Sequence, residues 1–550
     1  MSRETRRTGS HATRRRPRRA VLCLIIVQLL AVSLCAQAAP SRQRGVSDSR
    51  RESHTRRGQD SVERGGYKLS RGDEAFVADL SHRAFLYFVE HADPQTGLVL
   101  DRALANGEAH PEGHPSHNIA SSAATGFGLT ALCVGAERGW IARDEARRRV
   151  LITLHFFAER AAEEHGWLLH WMDAPTGERR WNSEYSSIDT ALFLAGVLTA
   201  REYFRDDPEV VRLATAIYRR VDFKWMLNGD SMLLSHGWRP ETGFIKSRWN
   251  TYSEHLILQL LAIGSPTHPV TPRAWRAWSR RWLTYAGYTY MSDGPLFTQQ
   301  YTQGWADLRG MRESWYPFVD YFENSVAATR AHRQFCIDLA REFPDYGPDI
   351  WGISASDSQH GYVAWGGPPR DPATDGTVVP NAPAGSLMFT PDISLAALRA
   401  MREKYGERVY GHYGFVDAFN PLTGWVDTDV IGIDLGITLL SAENLRDGFV
   451  WRYFMRNREI PRAMHLVGLR PTGATVSRKQ EPTESAAESS PRRAPWVSRA
   501  KKILKSCRGG RDSEPGLSQA RNLCRPYGAS MGLSLTVTQG RTPWATCFRP

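Results

Sequence analysis

Cysteine is scarce in this chain and lies mostly at its ends. Of 7 cysteines in 550 residues, Cys23 and Cys35 fall near the N-terminus and Cys507, Cys524 and Cys547 near the C-terminus, which leaves only Cys133 and Cys336 between. Neither belongs to a C-x-x-C pair, and a chain of this size buries enough surface without a disulfide framework, so both are expected as small buried hydrophobes. Several chemical signatures are also missing. There is no G-x-S-x-G nucleophile elbow, no phosphate-binding P-loop and no H-E-x-x-H zinc motif. Gly126-Phe127-Gly128 follows Ser and Ala rather than a strand, which excludes a dinucleotide fingerprint. The 17 histidines are scattered, and His114 and His117 alone are too few for a metal site, so neither metal nor cofactor is expected.

A basic binding face is absent as well, although the net charge is +12. Of 70 Lys and Arg, 15 lie in residues 1–66 and 14 in 471–550, so the 404 residues between carry a net charge of −7. The folded part therefore shows no nucleic-acid footprint. Arg14, Arg15, Arg16, Arg18 and Arg19 run into an apolar stretch too short to span a bilayer comfortably, followed by Ala36-Gln37-Ala38, and together these read as a cleavable export signal over 1–38. A periplasmic or secreted protein without an integral membrane domain is the expectation. Residues 39–66 and 471–550 are polar, Arg-rich and without apolar period, the composition of disordered segments.

Between 67 and 470 the dominant period is helical. Phe76, Leu80, Ala84, Tyr87, Phe88 and His91 recur at three- and four-residue steps, as do Val150, Leu154, Phe157 and Ala158. Further helices are predicted over 120–138, 188–204, 208–226, 253–263, 272–286, 323–342, 392–404 and 433–465. Asp207-Pro208, Thr271-Pro272 and Thr390-Pro391 supply cap and first-turn pairs. Long aromatic loops, 166–187, 228–252, 288–318, 345–390 and 406–432, alternate with short turns. This pattern predicts an all-α domain of helical hairpins in a ring, an α/α barrel with its long loops at one mouth.

Sixteen tryptophans lie in this middle section, many of them in those loops. Sugar rings have an apolar face and a hydroxylated rim, so aromatic platforms interspersed with carboxylates suit them. Glycoside hydrolysis needs one protonated carboxyl at the leaving oxygen and a second to activate water or attack. Acids beside aromatics at the start of apolar helices, where desolvation raises a pKa, are the candidates: Glu254 and Asp189 lead, with Asp307, Asp417, Asp427, Asp429, Asp434 and Glu443 in similar settings. A first-turn carboxylate can instead serve only the helix dipole, and Asp307 can simply pair with Arg309.

The stretches 258–269 (LQLLAIGSPTHP), 294–310 (GPLFTQQYTQGWADLRG), 361–369 (GYVAWGGPP), 375–390 (DGTVVPNAPAGSLMFT), 413–420 (YGFVDAFN) and 431–451 resemble the bacterial glycoamylase-like domain. That family includes endo-β-1,2-glucanases and the glycoamylase-like parts of cyclic β-1,2-glucan synthases. The resemblance implies a six-hairpin (α/α) barrel, no required metal, and inverting hydrolysis of a β-1,2-linked glucan. It points to Glu254 as acid and Asp189 as a cleft carboxylate, with Asp189, Asp417 or Asp427 supporting attack by water. Trp181, Trp249, Tyr252, Trp305 and Trp365 are then expected as sugar platforms, and Gln299, Gln303, Asp307, Tyr413 and Asp417 as further substrate contacts. The chain departs from the pattern at Gln299 and Gln303, where relatives commonly carry His, and at Leu435 and Ile437, where Gln and Pro often stand. Transglycosylation on the same scaffold and non-catalytic glucan binding remain the alternatives, and a monomer is expected.

Overall fold

The structure, a computed structural model, describes residues 67–292 and 294–473. The export signal, the segment 39–66 and all but the first residues of the C-terminal tail lie outside the described residues. No helix among the described residues is long and apolar enough to cross a membrane.

Thirteen α-helices among the described residues carry the architecture: α1 (Arg71–Glu90), α2 (Ser122–Arg138), α3 (Arg143–Glu159), α4 (Ser187–Tyr203), α5 (Pro208–Arg220), α6 (Leu256–Gly264), α7 (Phe297–Trp305), α8 (Tyr321–Asp338), α9 (Asn381–Ala384), α10 (Pro391–Tyr405), α11 (Gly432–Asp447), α12 (Phe449–Phe454) and α13 (Glu459–Leu466). They divide by burial into two sets. Helices α6, α7 and α9 are buried along their whole length, and α2, α4 and α11 nearly so. Helices α1, α3, α5, α8 and α10 bury one face only, as expected of a layer with solvent on its other side. The inner helices pack in succession, α2 on α4, α4 on α6, α6 on α7, α7 on α11 and α11 back on α2. Outer helices lie against them, α1 on α11 and α2, α3 on α2, α5 on α4, α8 on α7 and α10 on α9. Cys133 on α2 and Cys336 on α8 are buried free thiols within this packing.

Two predicted helices and one predicted loop came out differently. Residues 272–286 form a 3-10 turn, Pro272–Arg276, and then a strand, Trp282–Tyr285, paired with Tyr288–Met291. Ala286 and Gly287 both take positive φ (50° and 83°), the two-residue turn whose twist fits a hairpin. The span 433–465 breaks into α11, α12 and α13 at Gly448, whose left-handed φ of 69° caps α11. Helix α7 falls inside a predicted loop because it is buried on every side and so has no polar face to reveal its period.

The long loops are not strand-free. They carry short antiparallel pairs, among them Arg102–Leu104 with Asp429–Ile431 and Ile119–Ser121 with Trp171–Asp173. A five-stranded ribbon runs in the order Glu163–Glu164, Trp167–Leu169, Tyr185–Ser186, Gly237–Arg239, Gly243–Phe244. Pairing of this kind fixes loop backbone that would otherwise leave its amides unsatisfied.

The tightest crossing is α2 on α4, where glycine lets the two backbones meet. A Cβ on Gly196 would lie 2.0 Å from the carbonyl oxygen of Gly126, and one on Gly126 would lie 2.5 Å from that of Leu192. Gly196→Ala is therefore expected to separate the inner pair and destabilise the protein by about 1–3 kcal/mol, read as a lower urea midpoint at unchanged m-value. An unaltered midpoint would show that the helices do not cross this closely.

Candidate active site

A cavity of about 530 Å³ is lined by the strand-paired loops. Its lining comes from five stretches far apart in sequence, 101–121, 170–192, 236–254, 355–364 and 425–433, together with Phe297 and Tyr301 of α7. Trp171, Trp181, Trp249, Trp425 and Tyr362 give it aromatic surfaces, and Asp101, Glu184, Asp189, Glu254, Asp357, Asp427 and Asp429 give it carboxylates.

Glu254 reaches this cavity from the turn before α6. It is 1% exposed, and its carbonyl oxygen accepts from Thr302 Oγ1 at 2.7 Å, which ties the turn to α7. Asp189 occupies the first turn of α4. The N-cap Ser186 accepts from the Asp189 amide and donates its hydroxyl to Asp189 Oδ2. Burial raises the Asp189 pKa from its ordinary value, opposed by His170 and by the Ser186 hydroxyl.

His170 bridges two acids. Its Nε2 lies 3.5 Å from Asp189 Oδ1 and its Nδ1 3.2 Å from Glu184 Oε1, while its ring stacks on Trp171. Burial opposes its charge, but Asp189 and Glu184 together outweigh burial and raise the imidazole to about 9. Burial likewise opposes charge on Glu184, yet His170 and the Arg239 guanidinium, 3.0 Å away, hold its carboxyl down at about 2. The result is a buried alternating chain, Arg239, Glu184, His170 and Asp189, in which each charge answers the next.

A second acidic group gathers around Arg102. Its guanidinium donates to Asp357 at 2.6 Å and to Asp101 at 3.3 Å, and lies 3.9 Å from Asp429, which also meets His110 at 3.0 Å. Asp357, Asp417 and Asp427 each bring one oxygen to within 4.8 Å of the others, close enough for their charges to raise one another's proton affinity. The Asp357 amide donates to Asp417 and the Asp429 amide to Asp427. Burial, then the Asp357 and Asp429 charges, raise Asp427 to about 7. Asp434, also raised to about 7 by burial, accepts from the Tyr301 hydroxyl at 3.4 Å. Asp417, buried behind this group beside Asp434, is pushed well above the carboxylate range by burial and by Asp434.

Of the residues singled out from sequence, Glu254, Asp189, Asp427, Asp429, Trp181 and Trp249 line the cavity. Trp249 stacks on His236, whose burial lowers its pKa to about 4 and so keeps it neutral at pH 7. The others do not line it. Tyr252 donates to Gln299, whose amide also bonds Met291, Asn324 and Ser325. Gln303 bonds Tyr321 and Ser325. Trp305 is 0% exposed and donates to Thr130, and Trp365 donates to Ser356 in a second apolar cluster. Asp307 makes a bidentate pair with Arg309 near the surface. Tyr413 bonds Glu90 and His91. Glu443 is enclosed by Ser81, Arg138 and Arg446. Asp101, Arg102, His170, Glu184 and Asp357 escaped the sequence reading. Glu184 alone left a signal, three residues after Trp181 in the same aromatic loop.

An inner layer of buried helices under an aromatic cleft with an acidic floor defines the class of helical glycoside-hydrolase folds. The Glycoamylase family, described as "Putative glucoamylase", matches residues 246–458. A crystal structure of the same description from Bacteroides fragilis NCTC 9343 is 30% identical, covers 75% of this chain and 100% of its own, and superposes with a TM-score of 0.67. An endo-β-1,2-glucanase from Chitinophaga pinensis, solved with sophorotriose and glucose, is 28% identical over 73% of this chain and 99% of its own, also at 0.67. The exo-β-1,2-glucooligosaccharide sophorohydrolase of Parabacteroides distasonis is 26% identical over 436 residues, 72% of this chain. The match spans 58% of that curated relative's length. The chain belongs to the bacterial glycoamylase-like family.

The buried chain through His170 makes a pH prediction. A histidine raised to about 9 in the folded state adds stability that is complete below its unfolded value near 6.5 and is lost as pH rises through about 9. Unfolding midpoints measured from pH 6 to 10 should therefore fall on the alkaline side, and His170→Gln should flatten that fall. A His170 ring titrating near 6.5 by NMR would contradict the arrangement.

Proposed function

We propose that the chain is a glycoside hydrolase that cleaves β-1,2-linked glucan with inversion. The observation that carries this reading is the convergence of carboxylates from separate segments, the buried Glu254, Asp189 and Asp427 and the half-buried Asp357, on one aromatic-lined cavity. Relatives named for β-1,2-glucan or its oligosaccharides support the choice of linkage. Glu254 protonates the leaving glycosidic oxygen. Asp427, held beside Asp357, takes a proton from the attacking water. A carboxylate raised to about 7 suits that task, because once ionised it is a stronger base than an ordinary one. Asp189 and His170 engage sugar hydroxyls. The aromatic walls cover the apolar faces of the rings.

The succession of inner helices backed by outer ones supports a closed six-hairpin (α/α) barrel. Export by residues 1–38, folding of the catalytic domain within 67–470 and action as a monomer belong to the same proposal. Non-catalytic binding drew its support from Gln299 and Gln303. Both are spent on internal bonds to α8 and its surroundings, so the departures at these positions leave the cavity lining unchanged.

The test is incubation of the full chain with linear β-1,2-glucan beside β-1,3-, β-1,4- and α-1,4-glucans, reading new reducing ends and, by NMR, the anomer first released. Release of the inverted anomer from the β-1,2 substrate alone is expected, and Glu254→Gln should lower kcat by about 10²-fold or more. Turnover of another glucan in its place would overturn the linkage, and release of the retained anomer would overturn the mechanism. The rate should also fall on acidification through about pH 7 as Asp427 takes up a proton, and Asp427→Asn should be slow at every pH. A rate independent of pH between 5 and 8 would remove Asp427 from the role of base.

A further inference from the structure

The loop that presents Trp181 breaks a local rule. The Ser183 amide donates to the Arg180 carbonyl at 3.0 Å, closing a tight turn with Trp181 and Asn182 at its two central positions. Both have positive φ, 51° and 49°. Turns of this kind favour Asn and Gly, because a side chain with a Cβ crowds the backbone there, and a bulky aromatic is out of place. Such a conformation persists only where its surroundings over-determine it, and it gathers at functional sites.

Arg179 supplies that constraint. Its Nε donates to the Ser183 carbonyl at 2.6 Å and its Nη2 to the Asn182 carbonyl at 2.9 Å, so one guanidinium grips the turn from behind. The same group forks onto Glu241, at 2.5 and 3.1 Å. Glu241 belongs to the hairpin turn between Gly237–Arg239 and Gly243–Phe244, which forms the edge of the five-stranded ribbon next to Tyr185–Ser186. Trp181 then stands partly exposed in the cavity lining, edge-on to Trp171 at 5.2 Å. The Trp171 indole donates to Asp101 at 3.2 Å and its ring carries His170. An apolar ring is thereby offered to the cavity next to the buried acids.

We propose that Arg179, clamped by Glu241, is a positioning residue that holds Trp181 in its strained turn as a preformed platform for one glucosyl ring of the chain being cleaved. The proposal rests on the glucan-hydrolase reading. Neither Arg179 nor Glu241 lines the cavity, so both act through Trp181. Preorganisation matters because a platform already fixed loses no rotamer or loop freedom when the sugar arrives.

The test compares Trp181→Ala, Arg179→Ala, Arg179→Lys, Glu241→Ala and the double variant Arg179→Ala/Trp181→Ala in the full chain, with linear β-1,2-glucooligosaccharides as substrate. Arg179→Ala and Trp181→Ala should each raise KM by about tenfold, with the loss falling on KM more than on kcat. Adding Arg179→Ala to Trp181→Ala should change nothing further. Arg179→Lys should fail to restore the wild-type KM, since an ammonium cannot reproduce the planar fork. Glu241→Ala should move KM in the same direction by less. A KM unchanged in Arg179→Ala, or effects of Arg179→Ala and Trp181→Ala that multiply in the double variant, would overturn the clamp, as would a lowered melting temperature with normal KM. If the wild type turns over no β-glucan, the hydrolase reading fails by itself. The clamp is then judged by oligosaccharide Kd, measured by calorimetry in the same variants and read by the same rules.

Discussion

Charge that is buried must be answered by charge or by a proton, and the cleft is arranged around that requirement. Seven carboxylates enter the cavity lining, in a body where an uncompensated ion is strongly destabilising. Two cations carry most of the balance. Arg102 sits among Asp101, Asp357 and Asp429, and His170 sits between Glu184 and Asp189. Burial also pushes protons onto the acids, raising the proton affinities of Asp417, Asp427 and Asp434 and, despite their cationic neighbours, those of Asp189 and Asp357. Glu184 stands apart, held ionised by His170 and Arg239, whereas Asp427 and Asp434, raised to about 7, are poised to exchange a proton. A cleft that both grips a neutral sugar and moves a proton needs both kinds.

Much of the helical framework was legible because its outer helices are amphipathic. Helix α5 is an example, with Asp207 and Pro208 marking its start and buried Val210, Leu213, Ala214, Ile217 and Tyr218 at helical spacing. Legibility failed where burial is complete. Helix α7 has no exposed face, and its glutamines look polar in sequence while bonding inside to Asn324, Ser325 and Ser386. Burial also misled the reading of aromatics. Trp305 and Trp365 fall in the same stretches read from sequence as long loops that also hold lining residues, but their indoles are spent on Thr130 and Ser356. Composition marks a tryptophan as a platform or a plug equally well; only its neighbours separate the two.

The site divides along the same line. Glu254 and Asp189 were readable because each sits at the mouth end of an apolar helix, where an acid has few structural reasons to be buried. Arg102 and Asp357 were not. One lies in a three-residue strand and the other in a Gly-rich loop, 255 positions apart in sequence, and nothing local announces that they meet at 2.6 Å. Pairing across that distance belongs to the packed helices that bring the loops together.

The pairing of Arg102–Leu104 with Asp429–Ile431 has a consequence for the order in which the molecule takes shape. The acidic floor draws one strand from the start of the domain and its partner from the last quarter, and Ser81 and Glu443 join the same two regions by a hydrogen bond 362 positions long. Contacts of such separation carry a larger loop-closure cost than the local contacts of α2 with α4. A growing or partly threaded chain can build the α2–α4 crossing while the cleft is still without its floor. The chemistry thus depends on both ends of the domain at once, since a chain cut before Asp427 would lack two of the seven lining carboxylates.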